Sequence, residues 1–476
     1  MNQDAKLDAI IIGAGQAGGP LAGALAKAGW RVALIEQSHV GGSCINEGCT
    51  PTKTMVASAR VAHLARRASD YGVHTGEIQI DLERVRQRKR EIVDRFRNGS
   101  QGSLERIAGL ELIFGTAHFT GPHTVEVQLN TGGTRRLESE QIFINVGTRP
   151  FQPDLSGIAE VGALSSTSIM ELDQVPQHLI VLGAGYIAFE FGQMFARFGA
   201  RVSIIERGPR ILEREDEDIS SALSAIMRDS GLEVYTSSQA KSVRRNPAGQ
   251  VELELQTLSE SGHEIQTITG SHLLVAIGRS SNADTLNLEA AGVATDARGF
   301  IRVNEHLETN VPGVFALGDV KGGPAFTHIS YDDYRIVRDR LLHQATRTTS
   351  NRLVPYTMFT DPQLARVGLS ESEAKTRGLE VRIYTLPMTS VARAIETDET
   401  RGLIKAVVDA KSDLILGATV LGIEAGEVMS VLQMAMLGGV TASSIRDGVF
   451  AHPTLAESLN NLFMTKPREV SGTISG

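Results

Sequence analysis

One local arrangement occurs twice in this chain, and it restricts the fold more than any other feature. Ala9–Ile12 is a short apolar run that enters Gly13-Ala14-Gly15-Gln16-Ala17-Gly18, and a helical stretch follows to about Ala28. Val32–Ile35 is a second apolar run, and it ends in Glu36. The same order returns when Ile180–Leu182 enters Gly183-Ala184-Gly185-Tyr186-Ile187-Ala188. A helix to about Phe198 and a run Val202–Ile205 ending in Glu206 complete the second copy. In both copies the acid lies 23 residues after the first glycine. Strand, glycine turn, helix, strand and acid together form the dinucleotide fingerprint. Gly13 and Gly183 make the turn, and Gly15 and Gly185 let a pyrophosphate approach the backbone. Gly18 and Ala188 are the small residues that let helix pack on strand. The helix N-terminus then meets phosphate, and the acid meets a ribose hydroxyl. A single loop of this kind arises by chance. Two copies, each with its acid at the same distance, predict two nucleotide sites on two domains.

The composition supports a globular, multidomain chain. Its 476 residues suggest about three domains. A balance of 41% hydrophobic and 21% charged residues excludes a disordered chain. The 48 glycines exceed the usual share of about 7%, as repeated tight turns require. A net charge of −8 argues against a nucleic-acid or anionic-membrane surface. The best candidate for a membrane span, Ile180–Ala200, contains Glu190 and Arg197, so none is expected. The start, MNQDAKLDAIIIGAG, lacks a basic n-region and a cleavage site. A cytoplasmic protein is therefore expected.

Between the repeats, Leu82–Ile107 reads as a charged helix with a break at Gly99-Ser100 and a solvated basic face. Leu110–Leu129 and Arg136–Val146 read as short strands that end at Asn145-Val146-Gly147-Thr148. Leu232–Val275 repeats that pattern and ends at Gly278-Arg279. Val314–Leu317 then stops at Gly318-Asp319. Beyond a polar stretch at 344–351 the pattern becomes α+β, with a capping box at Ser370 and Glu373 and a Met-rich helix over Val428–Leu437 that serves packing. The expected fold is α/β, with two Rossmann-like dinucleotide-binding domains and a C-terminal α+β domain. The first domain covers 1–150 and is completed by 285–345. The second covers 151–284, and the third 350–476.

The only two cysteines, Cys44 and Cys49, lie five positions apart. In an ideal helix residues so spaced are about 8.7 Å apart at Cα, whereas a disulfide needs roughly 4.4–6.8 Å. The segment must be distorted if the bridge is to close, and Gly41, Gly42, Asn46 and Gly48 allow that. So short a bridge closes little chain and stabilises little, which favours a redox role over a stapling one. Two unlinked core thiols are the alternative. Two cysteines alone do not make a closed zinc site, so no metal site is predicted. His452 stands five residues before Glu457. A carboxylate-oriented histidine is a general acid or base near neutral pH, and an ordinary surface pair is the alternative. Glu190 falls in an apolar stretch where an unpaired carboxylate is costly, and Lys53 is the proposed partner. Two independent surface charges are the alternative there.

In combination these motifs resemble the class I pyridine nucleotide–disulfide oxidoreductases, over essentially the whole chain. The marks are Gly13–Gly18, Gly41-Gly42-x-Cys44-x4-Cys49-x-Pro51-x-Lys53, Gly183–Ala188 with Glu190, Gly278-Arg279, Thr309–Asp319 and His452–Glu457. Pro51–Thr54, Ile329–Val337 and Ala451–Phe463 are similar to the mercuric-reductase-like branch that includes reactive-chlorine-resistance flavoproteins. The chain ends TKPREVSGTISG, without the C-terminal cysteine pair of mercuric reductases.

The resemblance implies FAD at the first fingerprint, with Glu36 on the adenosine ribose, Asp319 on the ribityl chain and Thr148 at another flavin contact. It implies NADH or NADPH at the second fingerprint, with Tyr186 gating the nicotinamide and Gly278 beside it. Glu206 favours NADH, and Arg207 and Arg210 would admit NADPH. Lys53 and Glu190 correspond to the pair beside the flavin's reacting edge. Cys49 corresponds to the flavin-proximal thiol and Cys44 to the interchange thiol that meets substrate. His452 and Glu457 correspond to an acid–base dyad that reaches across a homodimer interface supplied by the third domain. Electrons are expected to pass from NAD(P)H through flavin and the cysteine pair to a small disulfide or a Hg(II)- or Cu(II)-type ion. Dihydrolipoamide dehydrogenase of a 2-oxoacid dehydrogenase complex is one alternative, and a non-enzymatic redox sensor another.

Overall fold

The computed structural model describes residues 7–259, 262–350 and 352–471. Residues 1–6 and 472–476, on which the readings of a leader-free start and a cysteine-free end partly rest, lie outside them. The first fingerprint builds a seven-stranded sheet. Its spatial order is Val314–Ala316, Ile142–Ile144, Ala9–Ile12, Val32–Glu36, Leu110–Gly121, Thr124–Leu129 and Thr134–Glu138. The first five strands are parallel. Four of them are continuous apolar or near-apolar runs buried at every position, as strands covered on both faces must be. The remaining two form an antiparallel meander with Leu110–Gly121.

The second fingerprint builds a four-stranded parallel sheet, ordered Leu232–Tyr235, Arg201–Ile205, His178–Leu182 and His272–Val275. A three-stranded antiparallel sheet, Ser238–Arg245, Val251–Ser259 and Gly262–Gly270, stands beside it. Thr148–Pro150 pairs antiparallel with Arg279–Ser281, so the exits of both nucleotide units run side by side. The C-terminal part is a six-stranded sheet packed by the helices Ala425–Leu437, Ala442–Arg446 and Ser458–Met464. Its capping box at Ser370 and Glu373 is present in both directions. No helix among the described residues is long and apolar enough to cross a membrane.

The largest core does not belong to any one of these units. Met55 and Ala59, from the helix Cys49–Arg66, pack with Phe189, Phe191 and Phe195 of the helix Tyr186–Phe198. Met358, Leu364 and Leu421 of the C-terminal sheet join them. The helix that starts at Cys49 is thereby held from two sides.

One expectation about the helix after it is corrected, and another holds with one exception. The helix Leu82–Glu105 runs unbroken through Gly99 and Ser100. An exposed helical glycine costs only about 1 kcal/mol against alanine. The far end is anchored, since Leu104 is buried and Ile107 lies close enough to Gly23 that a Cβ there would meet it at 3.2 Å. Its basic cluster is solvated at Arg84, Arg88, Arg90 and Arg95, as expected, but one member turns inward. Lys89 is buried, donates to the Met170 carbonyl at 3.1 Å and pairs with Glu171. Arg90 also pairs with Glu171, and Arg86 with Asp173. The partner acids lie some 80 residues downstream, where no helical periodicity reveals them.

Asp361 closes the back of the shared core. Its carboxylate accepts from Arg197 and pairs with Arg60, each at 2.8 Å. Its backbone N–H and C=O pair with the Gln193 amide at 2.7 and 2.8 Å. Asp361→Ala would leave the buried Arg197 guanidinium without its carboxylate, at a cost of about 3–5 kcal/mol. The thermal midpoint is expected to fall by at least about 3 °C. An unchanged midpoint would contradict this role.

Candidate active site

Each glycine turn is tied to its own acid. Gly13 has φ +100°, and a Cβ there would lie 2.3 Å from the Asn145 carbonyl oxygen. The Ala14 N–H donates to Glu36 Oε2 at 2.9 Å, and the Ser38 N–H to Oε1 at 2.9 Å. In the second copy Ala184 N–H donates to Glu206 Oε2 at 3.0 Å, and Gly208 N–H to Oε1 at 2.8 Å. A Cβ on Gly18 would meet the Gly13 carbonyl at 2.0 Å, while Ala188 at the matching position is accommodated and fully buried. The 23-residue spacing therefore fixes the turn as well as presenting an acid.

Asn145 extends the first turn into a wall, a role the sequence did not suggest for it. Its Oδ1 accepts from Gly18 N–H at 2.8 Å, and its Nδ2 donates to the Leu317 carbonyl at 2.9 Å. Gly318 follows with its N–H on Asp333 at 2.9 Å, and Asp319 turns into the cavity. Thr148 Oγ1 donates to Asp319 at 3.4 Å and accepts from Arg279 Nε at 2.8 Å. Burial raises the Asp319 pKa, against the pull of Arg279 and Lys321. Arg279, next to Gly278, thus braces the flavin-contact candidate Thr148.

The cysteines sit where two helices meet end to end. Cys44 lies in the short helix Gly42–Asn46, and Cys49 opens the helix Cys49–Arg66. A Cβ on Gly42 would meet Gly15 Cα at 2.9 Å, so the segment lies directly against the first phosphate turn. A Cβ on Gly48 would meet the Ser43 carbonyl at 2.9 Å, so glycine is what lets the chain break there. The two thiols are unbridged. A hydrogen bond from Cys44 lowers the Cys49 pKa to about 6, against burial and with help from Thr327 and Lys53. The same bond, burial and the Cys49 charge raise that of Cys44. Thr327 Oγ1 stands 3.4 Å from Cys49 Sγ. Arg97 Nε donates to Asn46 Oδ1 at 2.7 Å, while Asn46 Nδ2 donates to the Val40 and Gly42 carbonyls. Thr327 and Arg97 come from distant segments, and no spacing rule points to them.

One turn beyond Cys49, Lys53 pairs with Glu190 at 2.8 Å. The Glu190 side chain is 2% exposed, so the pair is a burial requirement met across two units. Phe359 holds both members: its N–H donates to Glu190 Oε1 at 2.8 Å, and its ring lies 4.8 Å from Lys53 Nζ. Tyr186 lies at the same end, its ring centroid 6.2 Å from that of Phe326.

A cavity of about 1040 Å³ unites most of these residues. Gly13, Gly15, Glu36, Cys44, Cys49, Lys53, Thr148, Tyr186, Glu190 and Asp319 all line it. Gly183, Gly185, Glu206 and Gly278 do not, and the second turn reaches it only through Tyr186 and its helix. His452 and Glu457 also lie outside. They form a pair at 2.8 Å, with the His452 side chain 67% exposed. The cavity is as large as a dinucleotide demands, and it offers a Cβ-free cradle at Gly13 and Gly15 with buried acids to each side. The residues therefore fit a flavin dinucleotide. Among the described residues no group of three or more His, Cys, Asp or Glu is placed to hold a metal ion.

Because a donated hydrogen bond and a cation hold Cys49 ionised, its reactivity should rise as pH rises through about 6. The rate of iodoacetamide alkylation of the reduced protein, followed against pH, checks this. Thr327→Val removes a donor to the thiolate and should move the midpoint upward. A single inflection near the ordinary thiol value of about 8.5 would contradict the arrangement.

Comparison with known proteins agrees with this geometry. The family model described as pyridine nucleotide-disulphide oxidoreductase matches residues 7–333, and that family's dimerisation domain matches 354–463. The chain is 40% identical to the probable pyridine nucleotide-disulfide oxidoreductase RclA of Escherichia coli, over 96% of this chain and 99% of that protein. It is 35% identical to a mercuric reductase of Staphylococcus aureus, over 99% of this chain and 84% of that one. It is 30% identical to a dihydrolipoyl dehydrogenase of Geobacillus stearothermophilus, over 95% and 94%. A solved structure described as the Cu(II) complex of the HOCl-induced flavoprotein disulfide reductase RclA superposes with a TM-score of 0.87 at 39% identity, covering 96% of this chain and 99% of that one. The chain belongs to the pyridine nucleotide–disulphide oxidoreductase family and is a flavin- and NAD(P)H-dependent oxidoreductase.

Proposed function

We propose that this enzyme uses FAD and passes electrons from NAD(P)H through Cys44 and Cys49 to a small disulfide or to a metal ion such as Hg(II) or Cu(II). The observation that carries the reading is that Cys44, Cys49 and the Lys53–Glu190 pair line the same cavity as the Gly13–Gly15 cradle, with the Cys49 pKa lowered by the hydrogen bond from Cys44. Bound flavin supplies a two-electron carrier that NAD(P)H reduces.

The chain's own residues do the rest. Gly13, Gly15 and Gly18 admit the pyrophosphate, with Glu36, Thr148 and Asp319 as the polar contacts. Gly183, Gly185, Ala188, Glu206 and Gly278 form the nicotinamide-nucleotide site, and Tyr186 covers its inner end. Glu206 favours NADH, and Arg207 and Arg210 admit NADPH. Lys53 supports the negative charge on Cys49, and Glu190 holds Lys53 in place. Cys44 attacks one sulfur of an incoming disulfide and releases the first thiolate. Cys49 then attacks the Cys44 sulfur, closes the bridge and releases the second. Two electrons and two protons convert one disulfide to two thiols. The same two electrons reduce one Hg(II), or two Cu(II) by one electron each.

His452 and Glu457 act as the proton carrier from the partner protomer of a homodimer. Their exposure and their position outside the cavity support that reading, as does the run of exposed apolar residues Val431, Met434, Leu437 and Val449 nearby in sequence. A cytoplasmic site, where NAD(P)H is regenerated, completes the proposal. Greater identity to RclA and to mercuric reductase than to dihydrolipoyl dehydrogenase places the lipoamide reading second.

Cys44→Ser should lower acceptor reduction at least about 100-fold while NADH still reduces the bound flavin. Steady-state turnover with a panel of disulfides, Cu(II) and Hg(II), beside anaerobic flavin spectra, separates the two steps. Full activity in the variant would mean that electrons leave the flavin directly. High turnover with lipoamide alone would favour the dehydrogenase reading.

A further inference from the structure

The carboxylates already placed at the cavity wall each have a partner. Glu36 accepts two backbone N–H groups, Glu190 is paired with Lys53, and Asp319 accepts from Thr148. Glu47 differs. It stands between the two cysteines in the chain, is exposed and lines the cavity. Its side chain accepts from the Thr167 hydroxyl at 3.4 Å, and among the described residues no cation lies within ion-pair distance of it. The cavity's lysine and arginines are committed elsewhere: Lys53 to Glu190, Arg149 to Asp284, and Arg279 to Thr148 beside Asp319. Glu424 and Glu427, on the C-terminal side of the same wall, likewise have no ion pair among the described residues and add to the same sign of charge.

The backbone sets where this charge acts. The Glu47 N–H donates to the Ser43 carbonyl at 2.9 Å, which closes the helical turn that carries Cys44. Glu47 is the C-cap of that turn and leaves the helical path with φ −140°. Glu47, Cys44 and Cys49 line one cavity, so an acceptor in that cavity lies within the field of an uncompensated carboxylate.

We propose that Glu47 is a specificity-determining residue that draws metal cations to the Cys44–Cys49 pair and turns away anionic disulfides. The proposal rests on the acceptor function proposed above and narrows its substrate class. Glu47 works through its field rather than as a ligand, since the described residues hold no group of three metal-binding side chains. Being exposed, it acts over a short range and is screened by salt.

Rates of modification of the reduced protein by two methanethiosulfonates test it. One reagent carries a trimethylammonium group and the other a sulfonate. In the native protein the cationic reagent should react faster relative to its rate with a free thiol in solution. In Glu47→Gln the ratio of cationic to anionic rates should fall roughly two- to fivefold, and the difference should shrink at high salt. Glu47→Asp should retain most of the ratio. A changed thiol pKa or altered packing moves both rates together and leaves the ratio alone, so an unchanged ratio overturns the proposal. Turnover with Cu(II) should fall in Glu47→Gln while turnover with an anionic disulfide rises. If the ratio shifts as expected but the native protein reduces neither acceptor, the acceptor function fails and the charge filter stands.

Discussion

The burial of the Glu190 carboxylate is the constraint on which the rest of the structure depends. A carboxylate held at 2% exposure in an apolar helix is tolerable only with a cation and further donors beside it. Lys53 reaches it from the cysteine helix, and Phe359 donates to it from the C-terminal part. Three segments far apart in sequence are thereby brought to one point. The same lysine that satisfies Glu190 also lowers the pKa of Cys49. The hydrogen bond from Cys44 is the chief cause of that lowering, the Glu190 charge opposes it, and the lysine held for packing adds to it. The shared core of Met55, Phe189, Phe195 and Met358, closed behind by Asp361, keeps the three segments from separating.

The two fingerprints show how one local solution serves two positions. In both, an acid at the end of the second strand holds the N–H after the first glycine and a second N–H two residues beyond the acid. The copies differ in what they face. The first turn lies under Gly42 and the cysteine segment, with Asn145 bridging to the Leu317 carbonyl. The second opens away from the cavity and meets it only through Tyr186 and the start of its helix. Repetition therefore places both glycine turns, and the glycines around Cys44 decide which of them adjoins the thiols.

Much of this was legible in the sequence because it is local or periodic. Apolar runs of four or five residues, glycines at fixed offsets and an acid 23 residues on are read within one supersecondary unit. The Lys53–Glu190 pair was legible for another reason: a carboxylate in an apolar helix demands a partner. Asn145, Arg279, Thr327 and Arg97 were not legible as site residues. Each acts through a contact made only when distant segments meet, such as the approach of Thr327 to Cys49 across 278 positions. The burial of Lys89, alone in the otherwise solvated basic face of Leu82–Glu105, was illegible on the same account, since its partner Glu171 belongs to another segment. The expected break at Gly99 failed because anchoring of the helix end outweighs the small cost of one exposed glycine.

The central claim is that the cysteine pair lies on the electron path. Counting thiols tests it most directly. Protein purified under air is quenched in acid, unfolded and alkylated before and after one anaerobic equivalent of NADH per chain. The expected result is no free thiol before reduction and two per chain after it, both at Cys44 and Cys49. Two thiols free in both samples, or none in either, would contradict the account.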